Sequence, residues 1–103
     1  MPITNQWWTL SEAVIDYDQD QPGVYELGDA NGNVIYVGSA DKLKRRLKDH
    51  VDDKDNACIK ANASKYRLDY DSQPKRREKQ LYDQHVLIYG KPPKCNKIAP
   101  SGY

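Results

Sequence analysis

Two tyrosines, one arginine, one histidine and one glutamate are the residues of this chain with types and spacing suited to chemistry. Tyr25 and Tyr36 are separated by ten residues, on either side of a turn signal. Arg46 and His50 are four apart, so a helix would put both on one face. Arg45 lies beside them. Glu78 is the only glutamate after Glu26, and it is set among Lys75, Arg76, Arg77 and Lys79. Hydrolysis of a phosphodiester asks for such a set. A base must take a proton from water, a cation must stabilise the charge growing on phosphorus, and a metal or acid must serve the leaving oxygen. Taken singly, each feature also has an ordinary structural explanation. Two strand tyrosines can simply pack on a sheet, basic helix residues form solvated faces, and a helical glutamate can offset a positive run. No Ser-His-Asp order, P-loop or paired-carboxylate cluster competes for the assignment. A single carboxylate fits one hard cation such as Mg²⁺ that keeps most of its waters.

The elements that would position these residues follow from the local pattern. Gly23-Val-Tyr-Glu-Leu alternates as a strand does, and Val34-Ile-Tyr-Val-Gly38 is a second β-rich run. Asn31-Gly32-Asn33 between them predicts an antiparallel hairpin. Ser39 to His50 reads as a helix with Leu43 and Leu47 on its apolar face and Ser39 or Asp41 as its cap. Asp52 to Asn56 is a charged break, and Ala57 to Ala63 is a short helix. Tyr66 to Tyr70 is a third strand. A long helix starts about Lys75, after Pro74, and ends at Gly90. Ahead of all these, Thr9 with Glu12 three residues later suggests a short capped N-terminal helix. Strands interleaved with covering helices predict an α+β domain around a three-stranded, mainly antiparallel sheet.

Composition sets the outer bounds. A chain of 103 residues with 38% hydrophobic residues and no Phe can bury one core. No apolar run approaches membrane-spanning length, and Met1 to Leu10 lacks the pattern of a signal peptide, so the expected location is cytoplasmic. Cys58 and Cys95 lie in no CxxC or zinc pattern, and two free, partly buried thiols are expected. The net charge is only +1, but its distribution is uneven. Residues 1–34 carry six acidic and no basic side chains, whereas the remainder carries all 16 basic residues against nine acidic ones. Such asymmetry suits a phosphate-attracting face, although on charge alone ordinary solvated helix cations are the better explanation.

The order Gly23-Val-Tyr25, Tyr36-Val-Gly38, Arg46, His50, Arg77-Glu78 and Asn96 resembles the motif series of the GIY-YIG nuclease superfamily. The resemblance spans about residues 22–96, with the short N-terminal helix before it, and implies a single GIY-YIG-like catalytic core. It implies that Tyr25 is the general base and that Tyr36 binds a phosphate oxygen or orients water. Arg46 would stabilise developing charge, His50 would hydrogen-bond a tyrosine or the phosphate, and Glu78 would hold Mg²⁺ or Mn²⁺. Gly23 and Gly38 would allow close backbone approach, and Asn96 would tie the final segment to the active-site wall. A tyrosine normally titrates near about 10, so its pKa would have to be depressed by the metal, Arg46 or His50. One spacing departs from the pattern. In excision-repair members the glutamate lies nearer the final asparagine, at the place of Gln84, whereas homing-endonuclease members match Arg77-Glu78. The resemblance implies a metal-dependent DNA endonuclease. The alternative is a nucleic-acid-binding module with weak or lost cleavage that acts with a partner. Most members carry a separate recognition domain, so specificity here would come from branched or nicked DNA, a protein partner or a homodimer.

Overall fold

A computed structural model describes residues 6–51, 53 and 56–96. Its elements run β1 (Trp8–Thr9), α1 (Glu12–Ile15), β2 (Gly23–Gly28), β3 (Val34–Ala40), α2 (Leu43–Val51), α3 (Ala57–Asn62), β4 (Lys65–Tyr70) and α4 (Pro74–Tyr89). The strands form one antiparallel sheet in the order β1-β4-β2-β3. Three strands were expected; the fourth is the two-residue β1, pairing Trp8 with Tyr66 and Thr9 with Lys65. Two residues carry no readable alternation, which is why this strand is invisible in the sequence. The cap of α1 is also displaced, since Ser11 rather than Thr9 accepts from the Val14 amide, at 3.3 Å.

The β2–β3 hairpin turns on Asp29, whose carboxylate accepts from the backbone N–H groups of Asn31 and Asn33. Gly32 takes φ 82°, a left-handed conformation that glycine adopts without steric cost. The pairing continues to Gly23↔Ala40, so Ser39 and Ala40 end a strand and α2 begins only at Leu43. The helix expected from Ser39 is thus shortened, because pairing with Gly23 and Val24 supplies the backbone partners that a helical turn would otherwise provide.

The register sorts the side chains of β2 and β3. Tyr25 faces Gly38 and Leu27 faces Tyr36 on one side; Val24 faces Ser39 and Glu26 faces Val37 on the other. The first side packs with Ile15, Leu43, Leu47, Ile59 and Tyr66, covered by α1, α2 and α3. The second joins Val24 and Val37 to Leu81 of α4. Each fully buried Leu or Val contributes about 1.5–3 kcal/mol relative to exposure, so the two layers grip β2 from both faces. Pro74 opens α4 and Gly90, at φ 75°, closes it, as expected.

Cys58 and Cys95 form a disulfide, which corrects the expectation of free thiols. They are 37 residues apart, and only the packing of α3 against the segment after α4 brings them together. No helix among the described residues is long and apolar enough to cross a membrane.

Candidate active site

Helix α2 buries Leu43, Leu47 and His50 and turns its lysines and arginines outward. The last buried position of that stripe is therefore an imidazole, carried under the sheet face that holds the tyrosines. His50 is 2% exposed and Tyr25 1%. The Tyr25 hydroxyl and His50 Nε2 are 2.7 Å apart, and His50 Nδ1 lies 2.6 Å from Asp53 Oδ2. Asp53 Oδ1 accepts from the Asn56 amide at 3.0 Å, and Asn56 in turn caps α3 by accepting from the Ile59 amide. A carboxylate can only accept at Nδ1, so that nitrogen carries the proton and Nε2 accepts from the Tyr25 O–H.

Tyr36 completes the aromatic wall. Its ring stacks on Tyr25 at 6.1 Å between centroids and lies 5.4 Å from His50. The exposed Arg46 guanidinium pairs with Asp49 at 3.8 Å and is near enough to both phenols to interact with them electrostatically. Gly38 is required by this packing, because a Cβ there would overlap the Tyr25 ring and hydroxyl. Gly23 is equally constrained, by the Asp69 carbonyl and Leu43.

Burial, with the neighbouring Tyr36, drives the Tyr25 pKa up, outweighing the opposing pull of Arg46. The depression expected from Arg46 or His50 does not occur, since a phenolate here would lose its hydration and gain too little in return. Burial likewise lowers the His50 pKa against the opposing Asp53 hydrogen bond, with Arg46 adding to the lowering.

Glu78 arrives from the other layer. Its carboxylate accepts a hydrogen bond from the Ser39 hydroxyl, next to Gly38, and its charge is one of the influences on the Tyr25 phenol. The four residues Tyr25, Tyr36, Arg46 and His50 share one sheet face, whereas Glu78 reaches the site from the α4 face. β3, the strand that carries Tyr36, Gly38 and Ser39, is an edge of the sheet. Glu78 is half-buried, and burial raises its pKa against the opposing Ser39 hydrogen bond and Lys75. Gln84 lies six residues on, about 9 Å further along the helix and rotated to a different face. Asn96 donates from Nδ2 to the Val37 carbonyl at 3.0 Å and accepts from the Val37 amide at 2.9 Å, fastening the chain's last described residue to the edge strand.

Asp53, Asn56 and the Glu78–Ser39 bond were not singled out from the sequence. His50 and Asp53 do have i,i+3 spacing, but Asp52 and Asp55 beside it offered no basis for choice. Asp52, Lys54 and Asp55 lie outside the described residues.

The profile of a domain of unknown function, DUF7508, matches residues 1–86. The chain belongs to that family. The DUF7508 chain also has the GIY-YIG fold. It superposes on the N-terminal GIY-YIG endonuclease domain of UvrC from Thermotoga maritima bound to magnesium with a TM-score of 0.59 and 24% identity. That match covers 82% of this chain and 92% of the other. A point mutant of the same domain bound to its catalytic divalent cation gives 0.61 at 23% identity, covering 84% and 93%. In sequence, it is similar to the UvrABC system protein C of Proteus mirabilis, 51% identical over 37 residues. The corresponding protein of Chromohalobacter salexigens is 46% identical over 46 residues. These segments cover 36% and 45% of this chain but only 6% and 8% of the relatives, so this DUF7508 chain corresponds to a small part of them.

Proposed function

We propose that this chain is a metal-dependent endonuclease that hydrolyses phosphodiester bonds in DNA. The observation that carries the proposal is the buried Tyr25–His50 hydrogen bond flanked by Tyr36 and Arg46, with Glu78 held by Ser39, next to Gly38. The neighbouring structures are of an endonuclease domain with its catalytic divalent cation bound, which supports transfer of the chemistry along with the fold.

The donor set fits a hard divalent cation. Among the described residues there is no cluster of three or more His, Cys, Asp or Glu that would form a cage of protein ligands. Glu78 offers an anionic oxygen pair of which Ser39 engages one. That suits a cation bound through one carboxylate and otherwise hydrated. When bound, Mg²⁺ or Mn²⁺ would supply Lewis-acid stabilisation of phosphate charge.

The remaining work falls to the chain's own side chains. Arg46 holds a non-bridging phosphate oxygen and offsets its growing charge. Tyr36, half-buried beside Tyr25, orients the attacking water or the phosphate. Tyr25 takes part in removing the water's proton through its contact with His50. DNA contacts extend beyond the cleavage point. A cavity of about 420 Å³ beside the hairpin turn is lined in part by Lys91, Lys94, His85 and Tyr89. Ammonium groups beside an aromatic ring suit phosphates and a stacked base. The test is conversion of supercoiled plasmid to the nicked form in Mg²⁺. EDTA should stop it, and binding without any nicking would leave only the nucleic-acid-binding alternative.

A further inference from the structure

We infer that Asp53 is a positioning residue that fixes the His50 tautomer, so that His50 rather than Tyr25 is the final acceptor of the water's proton. The inference rests on the nuclease reading above and specifies how its base works.

Three contacts carry it. Asp53 uses both carboxylate oxygens: Oδ2 faces His50 Nδ1 at 2.6 Å and Oδ1 accepts from the Asn56 amide at 3.0 Å. His50 Nε2 meets the Tyr25 hydroxyl at 2.7 Å. Through Asn56, the carboxylate is anchored to the start of α3, so its orientation is set by a helix cap rather than by a free rotamer. Among the described residues, the groups facing the imidazole are Tyr25 from β2, Tyr36 from β3, Arg46 and Asp49 from α2, and Asp53 after it.

A buried phenol beside a second tyrosine holds its proton tightly, so Tyr25 acting alone would be a poor base. Coupled transfer removes that difficulty. The attacking water gives a proton to the Tyr25 oxygen as the Tyr25 proton passes to His50 Nε2. The new P–O bond forms and the bond to the leaving oxygen breaks. The leaving oxygen takes a proton from solvent water, and the hydroxide so formed recovers the proton from the imidazolium. Tyr25 remains neutral throughout, and the transient positive charge sits between Asp53 and the ring. An acceptor at Nδ1 is essential, because with the proton on Nε2 the ring would present a donor to the phenol and could take nothing from it.

Asp53→Asn breaks this arrangement in either orientation of the amide. With its NH₂ toward Nδ1 it forces the proton onto Nε2; with its NH₂ toward Asn56 it sets two donors against each other. The experiment pairs ¹⁵N–¹H NMR of histidine-labelled protein with single-turnover nicking in Mn²⁺. His85, the only other histidine, is assigned with a His85→Asn sample. The expected wild-type spectrum above pH 7.5 shows neutral His50 protonated at Nδ1. Asp53→Asn should shift it toward Nε2–H and slow nicking by on the order of 10²-fold or more, with DNA affinity and Mn²⁺ affinity unchanged. A wild-type His50 protonated at Nε2 overturns the inference, whether or not the protein cleaves DNA. Wild-type nicking rates in Asp53→Asn overturn it too. Failure of the nuclease reading appears differently, as wild-type protein that cleaves nothing; the wild-type tautomer then still decides whether Asp53 positions His50. That same spectrum decides the matter should Asp53→Asn fail to fold.

Discussion

Replacing Glu78 by alanine separates metal binding from folding. Burial raises the Glu78 pKa, with the Ser39 hydrogen bond and Lys75 only partly opposing it. A group with a raised folded-state pKa favours folding while protonated, below the ordinary carboxylate range, and loses that contribution as pH rises through its folded pKa. At neutral pH the ionised carboxylate is therefore a small burden on the fold. Glu78→Ala removes the burden and installs the better helix former, while leaving the Ser39 hydroxyl at a partly exposed position where water can replace the lost acceptor. The net change in stability should fall within about 0.5 kcal/mol, a shift of roughly 2–4 °C in Tm for a domain of this size. Catalysis should respond on another scale. Loss of about 3–4 kcal/mol of Lewis-acid stabilisation corresponds to roughly 10²–10³ in rate. Mn²⁺ titration by calorimetry, thermal melts and a nicking time course read the three quantities separately. The expected pattern is a Tm shifted by no more than about 4 °C, at least about tenfold weaker Mn²⁺ binding and nicking near background. Nicking at the wild-type rate, with Mn²⁺ affinity unaltered, would refute the assignment of Glu78 as the metal ligand.

Other consequences are equally specific. Asn96→Ala removes two hydrogen bonds to Val37. It should cost about 1–3 kcal/mol, visible as a lower urea midpoint with an unchanged m-value. Reducing the Cys58–Cys95 disulfide opens a 37-residue span, and the chain-entropy model puts the loss at about 3–4 kcal/mol; a reductant that leaves Tm unchanged would contradict a native bridge. The His50 pKa is lowered by burial, so its contribution to stability is intact above about 6.5 and declines as pH falls from there toward the depressed value. Single-turnover nicking should accordingly hold at neutral pH and weaken on the acid side once His50 protonates, in a profile shaped also by Tyr25, Tyr36, Arg46, Asp49 and Asp53 around the ring. An activity that rises as His50 protonates would contradict its role as proton acceptor.

Much of the scaffold is legible because its signals are local. Asn31-Gly32-Asn33 marks the hairpin turn, and Pro74 and Gly90 bracket α4 by backbone chemistry that no distant contact has to supply. Ser39 illustrates the opposite case. Its hydroxyl looks like a helix cap, but strand pairing with Val24 overrides that preference and turns the side chain to Glu78 instead. Tyr25, Tyr36, Arg46 and His50 could be nominated by type and spacing, and the packing of α2 under the hairpin brings them together. Asp53 could not, since its partner is set by how the chain leaves α2, and the neighbouring aspartates are indistinguishable from it in sequence. The disulfide and the half-burial of Glu78 are likewise products of tertiary packing, and neither has a local pattern.

The central claim is that the Tyr25 cluster and Glu78 together cleave DNA. A plasmid nicking assay comparing wild type with Tyr25→Phe in Mn²⁺ tests it most directly. Tyr25→Phe removes only the hydroxyl that contacts His50 and keeps the ring that fills the core. The account predicts Mn²⁺-dependent nicking by wild type that EDTA abolishes, and a rate at least about 10²-fold lower for Tyr25→Phe with unchanged Mn²⁺ affinity. Equal nicking by both proteins, or none by wild type at any Mn²⁺ or Mg²⁺ concentration, would contradict it.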